Sequence, residues 1–133
     1  MKYLLDVNVL LAGLWKDHPR HAETAAWIQG KDLVLCPLAE LGFLRISTNK
    51  KAINAPMKAA RELLSRFAAE RIADDLPALD SKPNRSEDVT DHYLADLAAR
   101  HGCRLATFDE SIDHAAVEVI AKLVGPAPAQ PGK

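Results

Sequence analysis

Four carboxylates in this chain stand where acids from distant segments could meet. Asp6 ends an apolar run at residues 2–6, and Glu40 lies in the first turn of the helix expected after a second apolar run. Asp91 lies near the start of a helical stretch at 89–101, and Asp109 follows a third apolar run at 104–107. In a parallel sheet all strand C-termini share one edge, and that edge is where ligands bind. Two carboxylates about 4 Å apart repel by roughly 4 kcal/mol at an effective dielectric of 20, so a fold that gathers several needs something to offset the repulsion. Protonation does this in part. A hard divalent cation does it better, and oxygen-only donors select Mg²⁺ or Mn²⁺ over zinc. Such a cation beside a cleft suits phosphodiester cleavage, because it orients the phosphate, lowers the pKa of a bound water and stabilises the leaving group.

Each acid also has a plainer reading. Asp6 and Asp109 could cap following helices, and Asp91 could complement a helix dipole. Glu40 is harder to explain this way. Leu38, Leu41, Phe43, Leu44 and Ile46 leave its helix almost no polar sector. A helix apolar nearly all round is buried, and a lone buried glutamate is costly unless paired or metal-bound. Asp91 shares an arc with Leu94, Ala95 and Ala98, whereas Asp96 points about 140° away and is the weaker site candidate.

These acids must be positioned by the elements around them. Residues 2–6 read as a strand, with a helix following from Val7 to Trp15. A second helix spans 19–30, with Pro19 at its start and Gly30 just past its end. A strand at 33–36 precedes a helix opened by Pro37 and running to about Ser47. Residues 56–71 form the clearest amphipathic helix, with Arg61, Arg66 and Arg71 as surface charge. Residues 74–85 form a loop with one short strand. A helix at 89–101 stops at Gly102, and strands follow at 104–107 and 117–120. Short, solidly apolar strands alternating with helices predict a parallel sheet covered on both faces. One α/β domain over residues 1–122 is expected, followed by a Pro/Gly-rich mobile tail at 123–133.

With 133 residues, 48% hydrophobic and 26% charged, the chain has the size and composition of one folded domain. A net charge of −1 excludes a globally basic nucleic-acid coat protein but not local nucleic-acid binding. No apolar run reaches the roughly 18 residues of a membrane span, and the N-terminus lacks signal-peptide anatomy, which predicts a soluble cytoplasmic protein. Cys36 and Cys103 form no CxxC spacing and the five histidines no HExxH, so no zinc motif is read; the cysteines fit as small semi-buried hydrophobes.

Four segments together carry a family resemblance: Leu4-Leu5-Asp6-Val7-Asn8-Val9-Leu10-Leu11-Ala12, Pro37-Leu38-Ala39-Glu40-Leu41-Gly42-Phe43-Leu44-Arg45, Thr90-Asp91-His92-Tyr93-Leu94-Ala95-Asp96-Leu97-Ala98 and Gly102-Cys103-Arg104-Leu105-Ala106-Thr107-Phe108-Asp109. In their order and spacing they resemble a PIN-domain nuclease, specifically the VapC-type toxin of a bacterial toxin–antitoxin pair, over residues 2 to about 120. The resemblance implies an α/β/α sandwich with a short-stranded parallel sheet flanked by helices. It implies Mg²⁺-dependent endoribonuclease activity, with Mn²⁺ substituting, on structured RNA of the tRNA or rRNA class. It also implies inhibition by a cognate antitoxin and a homodimer. The family's acids map onto Asp6, Glu40, Asp91 and Asp109.

On this reading Asp6 and Asp91 are the metal ligands, with Glu40 and Asp109 completing the cluster and Asp96 secondary. Metal-activated water attacks phosphorus in line, leaving a 5′-phosphate and a 3′-hydroxyl. Thr107 and Asn8 are candidate outer donors. RNA approaching an acidic rim needs cations nearby. The candidates are Lys16, His18, Arg20, Arg45, Lys50, Lys51 and Arg85. Trp15 and Trp27 fit the core or an interface better than base stacking. The rival readings are an inactive RNA- or protein-binding module on the same fold, and a small phosphatase or receiver-like domain. The second lacks the expected lysine and phosphoacceptor pair.

Overall fold

Leu4, Val34 and Leu105 are fully buried on one side of a central sheet, and Leu5, Leu35 and Ala106 on the other. In a strand, successive side chains point to opposite faces, so both faces are covered. The computed structural model describes residues 1–121; residue 122 and the expected tail at 123–133 lie outside the described residues. The elements run β1 (Lys2–Leu5), α1 (Val7–Leu14), α2 (His21–Ile28), β2 (Asp32–Leu35), α3 (Pro37–Thr48), α4 (Met57–Arg66), β3 (Glu70–Arg71), α5 (Val89–Arg100), β4 (Cys103–Thr107) and β5 (Val117–Val119). All strand pairs are parallel, in the order β3-β2-β1-β4-β5. The predicted α/β/α sandwich is the observed architecture.

The face carrying Leu4 and Leu105 packs on Leu94, Leu97 and Ala98 of α5. The opposite face packs on Val9 and Leu10 of α1, Phe43 of α3 and Leu64 of α4. Trp15 and Trp27 belong to this second layer: Trp15 stacks on Phe43 and donates its indole N–H to Ser47, and Trp27 meets Tyr3 edge-on. Gly42 lets α3 approach α1, since a Cβ there would lie 2.7 Å from Cγ2 of Val7. Gly102 turns α5 into β4 with φ +69°, a conformation costly for any residue with a Cβ. Cys36 and Cys103 are free and buried.

Two segments differ from expectation. The helix predicted over 56–71 ends at Arg66, and residues 70–71 pair with Val34 and Leu35 as an edge strand. The turn is made by Arg71 itself, whose guanidinium donates to the carbonyls of Leu64, Phe67 and Ala69 at the helix C-terminus. Arg71 is therefore a cap rather than surface charge. The loop over 74–85 holds a 3₁₀ turn (Ala78–Asp80) and no strand.

The strand order places the site. The chain builds outward from β1 through β2 to β3, then returns to the other side of β1 with β4 and β5. The crevice of such a sheet opens between β1 and β4, where the order reverses. Lys2 to Leu5 pair in register with Cys103 to Ala106, which sets Asp6, one residue past β1, beside Thr107, the last residue of β4.

Candidate acidic active site

Asp6 is buried, with 4% exposure, and sits at the N-cap of α1. Its N–H donates to Ala106 O at 3.1 Å, extending the ladder by one bond. Its carboxylate accepts the Asn8 N–H at 3.4 Å and the Thr107 hydroxyl at 2.7 Å. The expected cap is therefore present, and one carboxylate oxygen serves it while the other meets Thr107. Asn8 contributes through its backbone. Burial pushes the Asp6 carboxyl above its ordinary range; the Thr107 bond works against that, and the charge of Asp109 adds to it.

Thr107 is fully buried, and its oxygen also accepts the Asp109 N–H at 3.1 Å. One hydroxyl therefore orients two of the predicted acids. Asp109 caps no helix. Its carboxylate accepts the N–H and the hydroxyl of Ser111, closing a tight turn. Those two bonds, with Arg85 nearby, hold its carboxyl below the usual range.

Asp91 enters from the first turn of α5. Burial, then the charges of Asp6, Asp109 and Asp88, push its carboxyl up to about 6. Three acids expected to converge therefore sense one another. The cluster also includes Asp88, one helical turn before Asp91, which the sequence reading passed over; its spacing from Asp91 was the available signal. Arg85 donates to both Asp88 carboxylate oxygens, at 2.8 and 3.0 Å.

Glu40 is neither lone nor deeply buried. Its side chain is 23% exposed and pairs with Arg71 at 3.4 Å. The expectation of a fully apolar helix fails because α3 packs through Ala39, Phe43 and Ser47, leaving Leu41 63% exposed. Glu40 faces a shallow depression with Leu44, Arg61 and Leu64. It is placed at the same sheet edge, since α3 starts directly after β2, but the charges that act on Asp91 are those of Asp6, Asp109 and Asp88.

The other candidates divide. Asp96 accepts from His114 at 2.7 Å and lies 3.5 Å from His92. Arg20 is structural: its guanidinium lies 3.7 Å over Phe108, donates to Ile120 O and pairs with Glu23. His18 accepts the Arg20 N–H. Lys16, Arg45, Lys50 and Lys51 are exposed. Arg85 lines a cavity of about 240 Å³ with Asn84, Asp88, His92 and Ser111.

The cluster has the donor set of a hard cation site. Asp6 and Asp91 both have raised carboxyl pKa values, and the causes include neighbouring negative charge that a divalent ion would relieve.

The PIN domain family matches residues 3–118. Ribonuclease VapC44 of Mycobacterium tuberculosis is 38% identical over 132 residues, covering 88% of this chain and 92% of the relative. Ribonuclease VapC38 of the same organism is 36% identical over 125 residues, covering 82% and 86%. Two solved structures share the fold. VapBC2 from Rickettsia felis, bound to a DNA fragment from its promoter, superposes with a TM-score of 0.56 at 14% identity, covering 84% of this chain and 90% of that one. FitAcB from Neisseria gonorrhoeae superposes with a TM-score of 0.55 at 23% identity, covering 80% and 87%.

Proposed function

This chain belongs to the PIN-domain family, among its VapC-type ribonucleases, and on that premise we propose that it is the endoribonuclease toxin of a toxin–antitoxin pair, cutting structured RNA of the tRNA or rRNA class. The observation that carries the reading is the Asp6–Thr107–Asp109 arrangement facing an Asp91 whose carboxyl is pushed to about 6. Clustered acids of this kind are disfavoured in a fold that does not use them.

Asp6 and Asp91 would hold Mg²⁺, with Mn²⁺ as a substitute, and Glu40 and Asp109 complete the negative rim. A bound cation of this kind neutralises the acids, polarises a phosphate and lowers the pKa of a bound water. Thr107 fixes the orientation of Asp6, and α1, capped by Asp6, fixes its depth. A carboxylate of the cluster takes the proton of the water that attacks phosphorus in line, leaving a 5′-phosphate and a 3′-hydroxyl. Arg85, beside Asp88 and acting on Asp109, is the cation best placed to meet an approaching phosphate. Lys16, Arg45, Lys50 and Lys51, all exposed, are the further candidates for contact with the RNA backbone.

Two partners complete the reading. A cognate antitoxin presents a basic group to the acids and so masks them. The exposed Leu41, Ile53 and Met57, on α3, the turn after it and α4, suit pairing with a second copy. The test is expression of the chain alone beside Asp6→Asn, with sequencing of RNA ends after brief induction. Growth arrest and new 5′-phosphate ends with the wild-type chain only are expected. Equal tolerance of both chains overturns the reading.

A further inference from the structure

Outside the carboxylate cluster, α5 and the segment between β4 and β5 bring two histidines and an aspartate together. His92 and Asp96 stand one turn apart on α5 and so share a face. His114 arrives from the other segment. Its Nε2 lies 2.7 Å from one Asp96 oxygen, and Nε2 of His92 lies 3.5 Å from the other. One ligand atom from each residue falls within 4.8 Å of the other two. The imidazole rings meet edge to face, 5.3 Å apart at 78°, so they converge rather than stack. The side chains are 15–25% exposed, shielded but open to entry from solvent.

We propose that His92, Asp96 and His114 form a second metal site, separate from the carboxylate cluster, that takes a borderline divalent cation of the zinc class. Two imidazoles and one carboxylate favour Zn²⁺ over Mg²⁺, whereas the oxygen-only cluster has the opposite preference. Three protein ligands leave a fourth position for water. The bound ion cross-braces α5, which carries Asp91, against the segment that begins at Asp109.

His114 tunes the affinity. Its Nδ1 accepts the Ala116 N–H at 3.0 Å, so in the metal-free chain the ring proton sits on Nε2 and points at Asp96. Ligation through Nε2 requires that proton to leave for solvent or to move to Nδ1, where it would displace the Ala116 bond. That displacement lowers the affinity of the site below that of imidazoles already held with Nε2 free.

The test is titration of the untagged chain with Zn²⁺ against a chromophoric zinc indicator, in millimolar Mg²⁺, with melting curves alongside. The wild-type chain is expected to bind one Zn²⁺ and melt higher with it. His92→Asn/His114→Asn should bind at least about tenfold more weakly and lose the gain in Tm. Asp6→Asn should keep both. Equal zinc affinity in the double variant, or loss of zinc binding in Asp6→Asn, overturns the proposal. Zinc-edge X-ray absorption of the wild-type complex needs no variant to fold. Two imidazole neighbours support the site, and an all-oxygen shell overturns it.

Discussion

Thr107 Oγ1 and Asp6 Oδ2 lie 2.7 Å apart, joined by a hydrogen bond between residues 101 positions apart in sequence. The bond spans the floor of the crevice between β1 and β4, and the same hydroxyl oxygen receives the Asp109 N–H. A buried carboxylate with one strong donor is held in one orientation, and here that donor also sets the start of the Asp109 turn.

Thr107→Val keeps the volume but removes both bonds. It should lower RNA cleavage by about 10–100-fold, the range seen when an orienting partner is lost, and cost about 1–3 kcal/mol of stability. Losing the donor raises the Asp6 carboxyl further, so the acid limb of the rate–pH profile should move to higher pH. Thr107→Ser should restore both the rate and the profile. Steady-state cleavage across pH for the three proteins checks this, and an unmoved profile in the valine variant contradicts it.

Asp91 makes the metal-free protein less stable as pH rises. Its folded carboxyl holds a proton up to about pH 6 against an ordinary 3.8, so between those values the folded state binds more protons than the unfolded. Its contribution is fully present below pH 3.8 and is lost through pH 6. Asp91→Asn should exceed the wild type at pH 7 by about 1–2 kcal/mol, allowing for screening of a half-exposed group. The two should converge near pH 4. Urea melts in chelator at several pH values check the crossing.

The cation should reverse that sign. Mn²⁺ at neutral pH is expected to raise the Tm of the wild type and to have little effect on Asp6→Asn or Asp91→Asn, since each loses one ligand charge. Calorimetry with and without chelator reads this directly. A full Mn²⁺ gain in both variants would place the ion elsewhere.

The strands and most helices were legible because their signals are local. Solid apolar runs, Pro37 at a helix start and Gly102 past a helix end each act within a few residues. The convergence of Asp6, Asp91 and Asp109 was also legible, because parallel strands put their C-termini on one edge. What was not legible depends on long side chains whose partners are remote in sequence. Arg71 reads as the last turn of an amphipathic helix, yet its guanidinium ends that helix and holds Glu40. Arg20 reads as a free cation and lies on Phe108. The His92–Asp96 spacing was visible, but His114 is brought to it only by the fold.

Glu40 and Arg71 should separate function from folding. The pair is partly exposed and 3.4 Å long, so Glu40→Gln should cost no more than about 1 kcal/mol, while lowering cleavage at least about tenfold if its charge serves the cluster. Arg71→Met strips a donor from three carbonyls and should cost about 1–3 kcal/mol with a smaller loss of rate. Melting curves and cleavage rates of both variants decide. A glutamine variant that cleaves normally removes Glu40 from the site.

Gly42→Ala tests the approach of α3 to α1. Alanine favours a helix by about 1 kcal/mol, but its Cβ would stand 2.7 Å from Cγ2 of Val7, a stiff β-branched side chain next to Asp6. Overpacking costs about 1–3 kcal/mol, so the net change should be a loss. A rise in Tm would show that Val7 yields freely.

The neighbouring strands β1 and β4 come from opposite ends of the described chain. During synthesis β1 emerges before β4, so its carboxylate waits for the strand that will flank it. The hydroxyl that aims that carboxylate, and the third acid of the cluster, are added about a hundred residues later. No truncated product ending before β4 contains the assembled crevice. The crevice therefore exists only once β4 has paired with β1, and that pairing is a long loop closure and so a slow step of folding.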